Sequence, residues 1–81
     1  MNVTVKFVSP LNRSAGTDQT SVSLPEGARL AELVGALREG FPRLFPAAER
    51  AIYMVDTTLA HQETALRDGG RVLMMQVLGG G

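Results

Sequence analysis

The sequence predicts an α+β domain in which one main helix packs across one face of a mixed β-sheet. Three observations lead there. Residues 2–8, NVTVKFV, alternate apolar and polar side chains with the period of two of a half-buried strand. Leu30, Leu33, Val34, Leu37 and Phe41 recur at helical spacing, with Arg29, Glu32, Arg38 and Glu39 off that stripe. Residues 71–78, RVLMMQVL, are apolar on both faces, as a strand central in its sheet would be.

Along the chain, Val3, Val5 and Phe7 mark the buried side of the first strand, and Val8 is the single apolar residue on its polar side. SPLNRSAGTDQ is rich in turn residues and reads as a loop, after which TSVSL, residues 20–24, returns as a second strand and completes a hairpin. Pro25-Glu26-Gly27 precedes the helix, whose first turn has no Ser, Thr, Asp or Asn to cap it. Its end is better marked: Gly40 is expected in the left-handed position just past the last turn, Phe41 to fold back, and Pro42 to stop the helix. RLFPAAER is then irregular, with Leu44 and Phe45 free to cover a core edge.

AIYMV, residues 51–55, is a short apolar strand, TLAHQ a further short edge strand, and Leu66 a plug beneath the turn signal Asp68-Gly69-Gly70. In the last strand Val72 and Met74 share one face and Leu73, Met75 and Val77 the other. With the first and last strands joined in the middle and the helix across one face, the architecture is a β-grasp. Leu73, Met75 and Val77, beside Val8, then form an apolar patch on the uncovered face, which marks a binding surface unless a loop or helix end folds over it.

At 81 residues, 44% hydrophobic and 20% charged, the chain can build one core and not two. Formal charge is zero, and Lys6 and the arginines are scattered without a run, so no nucleic-acid partner is expected. No apolar stretch approaches 18 residues and no leader begins the chain, so a cytoplasmic protein without membrane association is expected. Cysteine is absent, and the lone His61, in the polar stretch AHQET, reads as a solvated loop residue rather than a metal ligand. The acids Asp18, Glu26, Glu32, Glu39, Glu49, Asp56, Glu63 and Asp68 are dispersed, which argues against catalysis by the chain itself. Neither a metal nor a bound cofactor is called for.

After Val77 and Leu78 come Gly79, Gly80 and Gly81. Three glycines add no packing, so they are either a frayed end, a linker remnant, or a feature with a use of its own. The expected organisation is a β-grasp domain over residues 1–78 and a flexible glycine tail over 79–81.

The phrases FVSPLNRSAG, LAELVGALREGFP, VDTTLAHQETALRDGGRV and the terminal LGGG together resemble the MoaD/ThiS family of ubiquitin-like sulfur carriers, most closely its molybdopterin synthase small-subunit members. The resemblance covers essentially the whole chain. It implies that an E1-like adenylating enzyme, using ATP, activates the carboxylate of Gly81. The product is a thiocarboxylate that donates sulfur in molybdopterin (molybdenum cofactor) biosynthesis, with the synthase large subunit or another sulfur-accepting enzyme as partner. The chemistry suits the tail: a mixed anhydride with AMP makes a poor electrophile reactive, three extended residues span roughly 10 Å, and glycines pass a channel too narrow for any Cβ.

The family's apolar contact surface carries over to Val8, Leu59 and Met75. The pattern departs where Met74, Met75, Gln76 and Val77 replace the aromatics and Pro-Pro pair expected before the tail, and where Asp56 stands in place of a common Asn. The same chemistry could feed cysteine, thiamin, tRNA thiolation or a secondary metabolite. Alternatively the activated Gly81 is conjugated to lysines as a ubiquitin-like modifier, or the domain is an adaptor that only binds through its patch.

Overall fold

The computed structural model of the protein describes residues 1–77; Leu78, Gly79, Gly80 and Gly81, and the tail expected there, lie outside the described residues. Strand β1 (Asn2–Phe7) buries Val3, Val5 and Phe7 and exposes Asn2 and Lys6, as its alternation requires. It pairs antiparallel with β2 (Gln19–Ser23) and parallel with the last strand, β5 (Arg71–Gln76). On its other edge β5 pairs antiparallel with β3 (Ala51–Val55), which pairs antiparallel with β4 (Thr58–Ala60). The order β2-β1-β5-β3-β4 puts the strand apolar on both faces at the centre, and the fold is a β-grasp.

Two helices complete it. The main one, α2 (Leu30–Gly40), lays Leu30, Leu33 and Leu37 onto the inner face of the sheet, where Val3, Val5, Phe7, Tyr53, Val55, Val72 and Met74 meet them in one core. The other, α1 (Leu11–Ala15), lies in the segment expected to be loop. A single buried residue, Leu11, is too little for a periodicity to show, while Gly16 at φ 79° ends the turn by donating its N–H to the Asn12 carbonyl.

The sequence leaves the start of α2 uncapped; the structure supplies the caps from elsewhere. Glu32 reaches back to accept the Arg29 N–H at 3.1 Å, and the otherwise orphaned N–H groups of Leu30 and Ala31 donate to the carbonyls of Thr64 and Gln62 at 2.9 and 3.0 Å. That demand pulls residues 62–64 away from the sheet, so β4 stops at Ala60, short of the TLAHQ expected. At the other end the reading of Gly40 is corrected: it is the last helical residue, its φ is not positive, and Phe41 terminates the helix by donating its N–H to Leu37 at 2.8 Å. The Phe41 ring does fold back, edge-on to Phe7 with centroids 5.4 Å apart, and that packing decides the geometry in place of a left-handed glycine.

The segment after the helix forms two 3₁₀ turns, Pro42–Leu44 and Ala47–Arg50, which bury Leu44 and Ala48 against the core. The reversal at 68–70 stands as expected. Gly69, at φ 76°, donates to the Asn2 carbonyl at 2.8 Å, and a Cβ on Gly70 would meet the Arg67 carbonyl oxygen at 3.0 Å. β2 is displaced one residue from its expected span, with Leu24 buried just beyond its end, and β5 stops at Gln76, leaving Val77 outside the ladder. Among the described residues no helix is long and apolar enough to cross a membrane.

Leu33 is fully buried where α2 crosses the sheet. Leu33→Ala should therefore lower unfolding free energy by about 2–5 kcal/mol, read as a fall in urea midpoint with unchanged slope.

Candidate functional site

Register decides what the uncovered face presents. One row across the sheet runs Leu59, Met54, Leu73, Lys6 and Gln19, from the pairings Met54 with Leu59, Met54 with Leu73, Lys6 with Leu73 and Lys6 with Gln19. The next row pairs Ile52 with Met75, and Val8 lies alongside, held by its N–H donating to the Met74 carbonyl at 2.9 Å. None of Val8, Ile52, Met54, Leu59, Leu73 and Met75 belongs to the core that α2 covers.

Of the residues expected on this face, Leu59, Leu73 and Met75 share it by register and Val8 lies alongside, while Val77 lies past the end of the ladder. Leu59 is 65% exposed and Val77 49%, while Val8, Leu73 and Met75 are half-buried. No described loop or helix end folds into that core position, and the open patch stands. Sequence reasoning missed two of its members, Ile52, 38% exposed, and Met54. The signal was present in AIYMV, five apolar residues in succession, which must show apolar side chains on both faces as RVLMMQ does.

Polar groups border the stripe at the far end from Val77. The hairpin joining β3 to β4 turns in two residues, Asp56 and Thr57, at φ 47° and 72°. A turn of that kind needs positive φ at both central residues, a conformation Asn and Asp tolerate best. Asp56 therefore suits this turn as an Asn would, and it adds a charge that Asn lacks. Its carboxylate accepts from Arg67 Nε at 2.9 Å and from the Arg71 N–H at 3.1 Å, clamping the turn to the start of β5. The Arg67 hydrogen bond, and after it the Arg71 N–H, hold the Asp56 carboxyl below the usual range for an aspartate. Met54, Asp56, Thr57, Arg67, Arg71 and Leu73 together line a shallow depression open to the face.

The helix side of the sheet holds the other notable cluster. Arg38 forks onto Glu49, with one bond of 3.1 Å, and lies over the Phe45 ring, 4.4 Å from its centroid. Beneath them burial pushes the Tyr53 phenol up to about 12, so it stays protonated at neutral pH. This pins the 3₁₀ segment to α2 and provides no acid–base pair. His61 is exposed, its Nδ1 accepting the Glu63 N–H at 3.2 Å. No three His, Cys, Asp or Glu side chains among the described residues stand close enough to hold a metal ion. What the arrangement can do chemically is bind: an apolar, charge-poor patch on a rigid sheet, reaching to the strand end beyond which Gly81 lies in sequence.

Residues 5–81 match the model of the ThiS family. No curated protein matches the sequence. Among solved structures the chain resembles SAMP1 of Haloferax volcanii, at 17% identity and a TM-score of 0.90 over 100% of both chains. It also resembles a putative molybdopterin converting factor subunit 1 of Pyrococcus furiosus, at 21% identity and a TM-score of 0.87 over 96% of this chain and 99% of that one. A third likeness is to the complex of subunits 1 and 2 of the molybdopterin-converting factor of Helicobacter pylori, at 22% identity and a TM-score of 0.75 over 100% of both chains.

Because the folded-state pKa of Asp56 is depressed, the stability its charge contributes is fully present above the unfolded value near pH ~3.9 and is lost as pH falls through the lower folded value. Asp56→Asn keeps a side chain suited to the turn and removes the charge. The difference in unfolding free energy between wild type and Asp56→Asn should be constant at neutral pH and shrink toward zero in acid. A difference that is independent of pH would show that the clamp contributes nothing through its charge.

Proposed function

This chain belongs to the ThiS family, and we propose that it is a sulfur carrier whose Gly81 carboxylate is adenylated by an E1-like enzyme using ATP, converted to a thiocarboxylate, and spent as the sulfur donor in molybdopterin biosynthesis. The observation that carries the reading is the family match from residue 5 to residue 81, reinforced by an open apolar face on the sheet that ends at the tail. In the proposed cycle a terminal carboxylate oxygen attacks the α-phosphorus of ATP and pyrophosphate leaves. A persulfide sulfur on a partner then attacks the resulting acyl carbon and AMP leaves; a second thiol attacks the inner sulfur of the acyl disulfide, forming a new disulfide and releasing the Gly81 thiocarboxylate. The chain's own residues do none of this chemistry. They dock: Val8, Ile52, Met54, Leu59, Leu73 and Met75 form the patch, Val77 extends it toward the tail, and Gly79 and Gly80 carry Gly81 into each partner's pocket.

The partner most in keeping with this reading is the large subunit of molybdopterin synthase, since a chain of the complex of subunits 1 and 2 of the Helicobacter pylori molybdopterin-converting factor shares this fold. Delivery of the sulfur toward cysteine, thiamin, thiolated tRNA or a secondary metabolite is the alternative within the same chemistry. Transfer of activated Gly81 to lysines of target proteins is the alternative outside it. A charge-poor patch suits one dedicated, mostly apolar interface better than encounters with many surfaces.

The experiment is intact-mass analysis after incubation with the adenylating enzyme, ATP and a sulfur source; a gain equal to the exchange of one oxygen for sulfur is the expected result. Adding one alanine after Gly81 should abolish activation and leave the thermal midpoint within a degree or so, because glycines have no side chain to pack. Adenylation of the extended chain without trimming would sink the mechanism. Met75→Lys should weaken binding to both the adenylating enzyme and the large subunit while changing unfolding free energy by under ~1 kcal/mol, since the ammonium is desolvated only in a complex. Early unfolding of that variant with unimpaired binding would place Met75 in the core and remove the patch from the mechanism.

A further inference from the structure

The chain contains one lysine and seven arginines. Guanidinium groups stay protonated and do not act as nucleophiles, so Lys6 is the single side-chain amine that an activated acyl group can meet. Its position is not neutral with respect to the docking face. Lys6 is exposed, lies directly opposite Leu73 in the parallel β1–β5 register, and shares the depressions on either side of it with Val8, Leu73, Gln19 and Arg71. Neither carboxylate near this edge engages it: Asp18 accepts from Asn12 Nδ2 at 3.0 Å and Asp56 from Arg67, and Lys6 forms no ion pair among the described residues. The other amine of the chain, the Met1 α-amino group, is partly buried and donates to the Leu24 carbonyl at 2.7 Å.

We propose that Lys6 is the acceptor through which one activated copy of this chain is joined to another, and that the join closes the docking face of the acceptor copy. The step rests on the activation of Gly81 proposed above. Unprotonated Lys6 Nζ, its proton given to solvent, attacks the Gly81 carbonyl carbon of the second copy's acyl adenylate. The amide C–N bond forms, the bond from carbonyl carbon to AMP oxygen breaks, AMP departs with the electron pair, and the amine's second proton passes to solvent or to the departing phosphate. No oxidant or reductant takes part. The acceptor then carries a whole domain on the row that holds Leu73, Met54 and Leu59, so that it cannot also seat a partner there. Conversely, a docked partner covers Lys6 and protects the carrier from its own activated form.

The test separates this step from the activation it follows. A donor, Lys6→Arg made as a C-terminal thioester of Gly81 with a small thiol, is mixed with wild-type acceptor bearing a free carboxylate, so no adenylating enzyme is needed. The expected product is a branched dimer whose digest places the Gly81 acyl group on Lys6 Nζ, and its formation is lost when the acceptor is also Lys6→Arg. Acylation of the Met1 amine instead, or hydrolysis of the thioester without dimer, overturns the assignment of the acceptor. The purified dimer is then offered to the adenylating enzyme with ATP beside the monomer. Loss of adenylation in the dimer with retention in the monomer is expected; equal adenylation of both overturns the closure of the face. Failure of the monomer alone in that assay would count against the activation of Gly81 and leave the Lys6 linkage standing.

Discussion

The parallel pairing of β1 with β5 is the constraint from which the rest of the molecule follows. Parallel strands cannot be joined by a tight turn, so everything between Phe7 and Arg71 has to travel out and return, and the main helix α2 lies within that connection. The pairing sets Val5 opposite Val72 and Phe7 opposite Met74, and these four, all buried, form the floor on which Leu33 and Leu37 rest. The same register turns Lys6 and Leu73 to the other face. A slip of one residue would exchange the two sets, placing Lys6 under the helix and the core in water. The energetic case for one register is therefore strong even in a chain too small for an extensive core.

One helix can cover one face of a five-stranded sheet, and among the described residues no second layer covers the other. On β2 and most of β1 the open face is polar, with Asn2, Thr4, Lys6, Gln19, Ser21 and Ser23 in the outward positions, as folding alone would favour. On β5, β3 and β4 it is not. Leu73, Met75, Ile52, Met54 and Leu59 could all be polar at no cost to the core, so their apolar character answers to something outside the monomer. The methionines suit the two partners of the proposed cycle, because an unbranched thioether repacks against irregular contours.

What was legible in the residues was whatever carried a period. The alternation in β1, the stripe of α2 and the two-faced character of β5 placed the sheet, the helix and the centre, and thereby Leu73 and Met75 on one face with Val8 alongside. What was not legible depended on partners distant in sequence. The helix start is capped by carbonyls of Gln62 and Thr64, some thirty residues on, and no local motif announces that. Gly40 carries every local mark of a left-handed terminus, yet the Phe41–Phe7 contact takes precedence. The five residues of α1 hold too little pattern to show a helix. Ile52 and Met54 were missed for a different reason: the argument applied to β5, that consecutive apolar residues imply two apolar faces, applies equally to β3.

The direction of β5 ties the open face to the proposed chemistry. The strand runs from the polar end of the face, at Arg71 and the Asp56 clamp, toward Met75 and Val77 and on to the glycines in sequence. Three residues lie between Val77 and Gly81, and the four Cα steps from one to the other give a contour of at most about 14 Å. A partner that has seated the patch therefore holds the Gly81 carbonyl within that radius of a fixed point, which converts the search for its reactive pocket from a bimolecular encounter into a local one. Two partners can use the same patch only if each places its pocket at the same short distance from it. Sharing the face makes them mutually exclusive, so activation has to finish and the carrier has to leave before sulfur is delivered. Docking on an apolar patch with few charges meets that need, because affinity there can be set by area and fit at a level that still permits release.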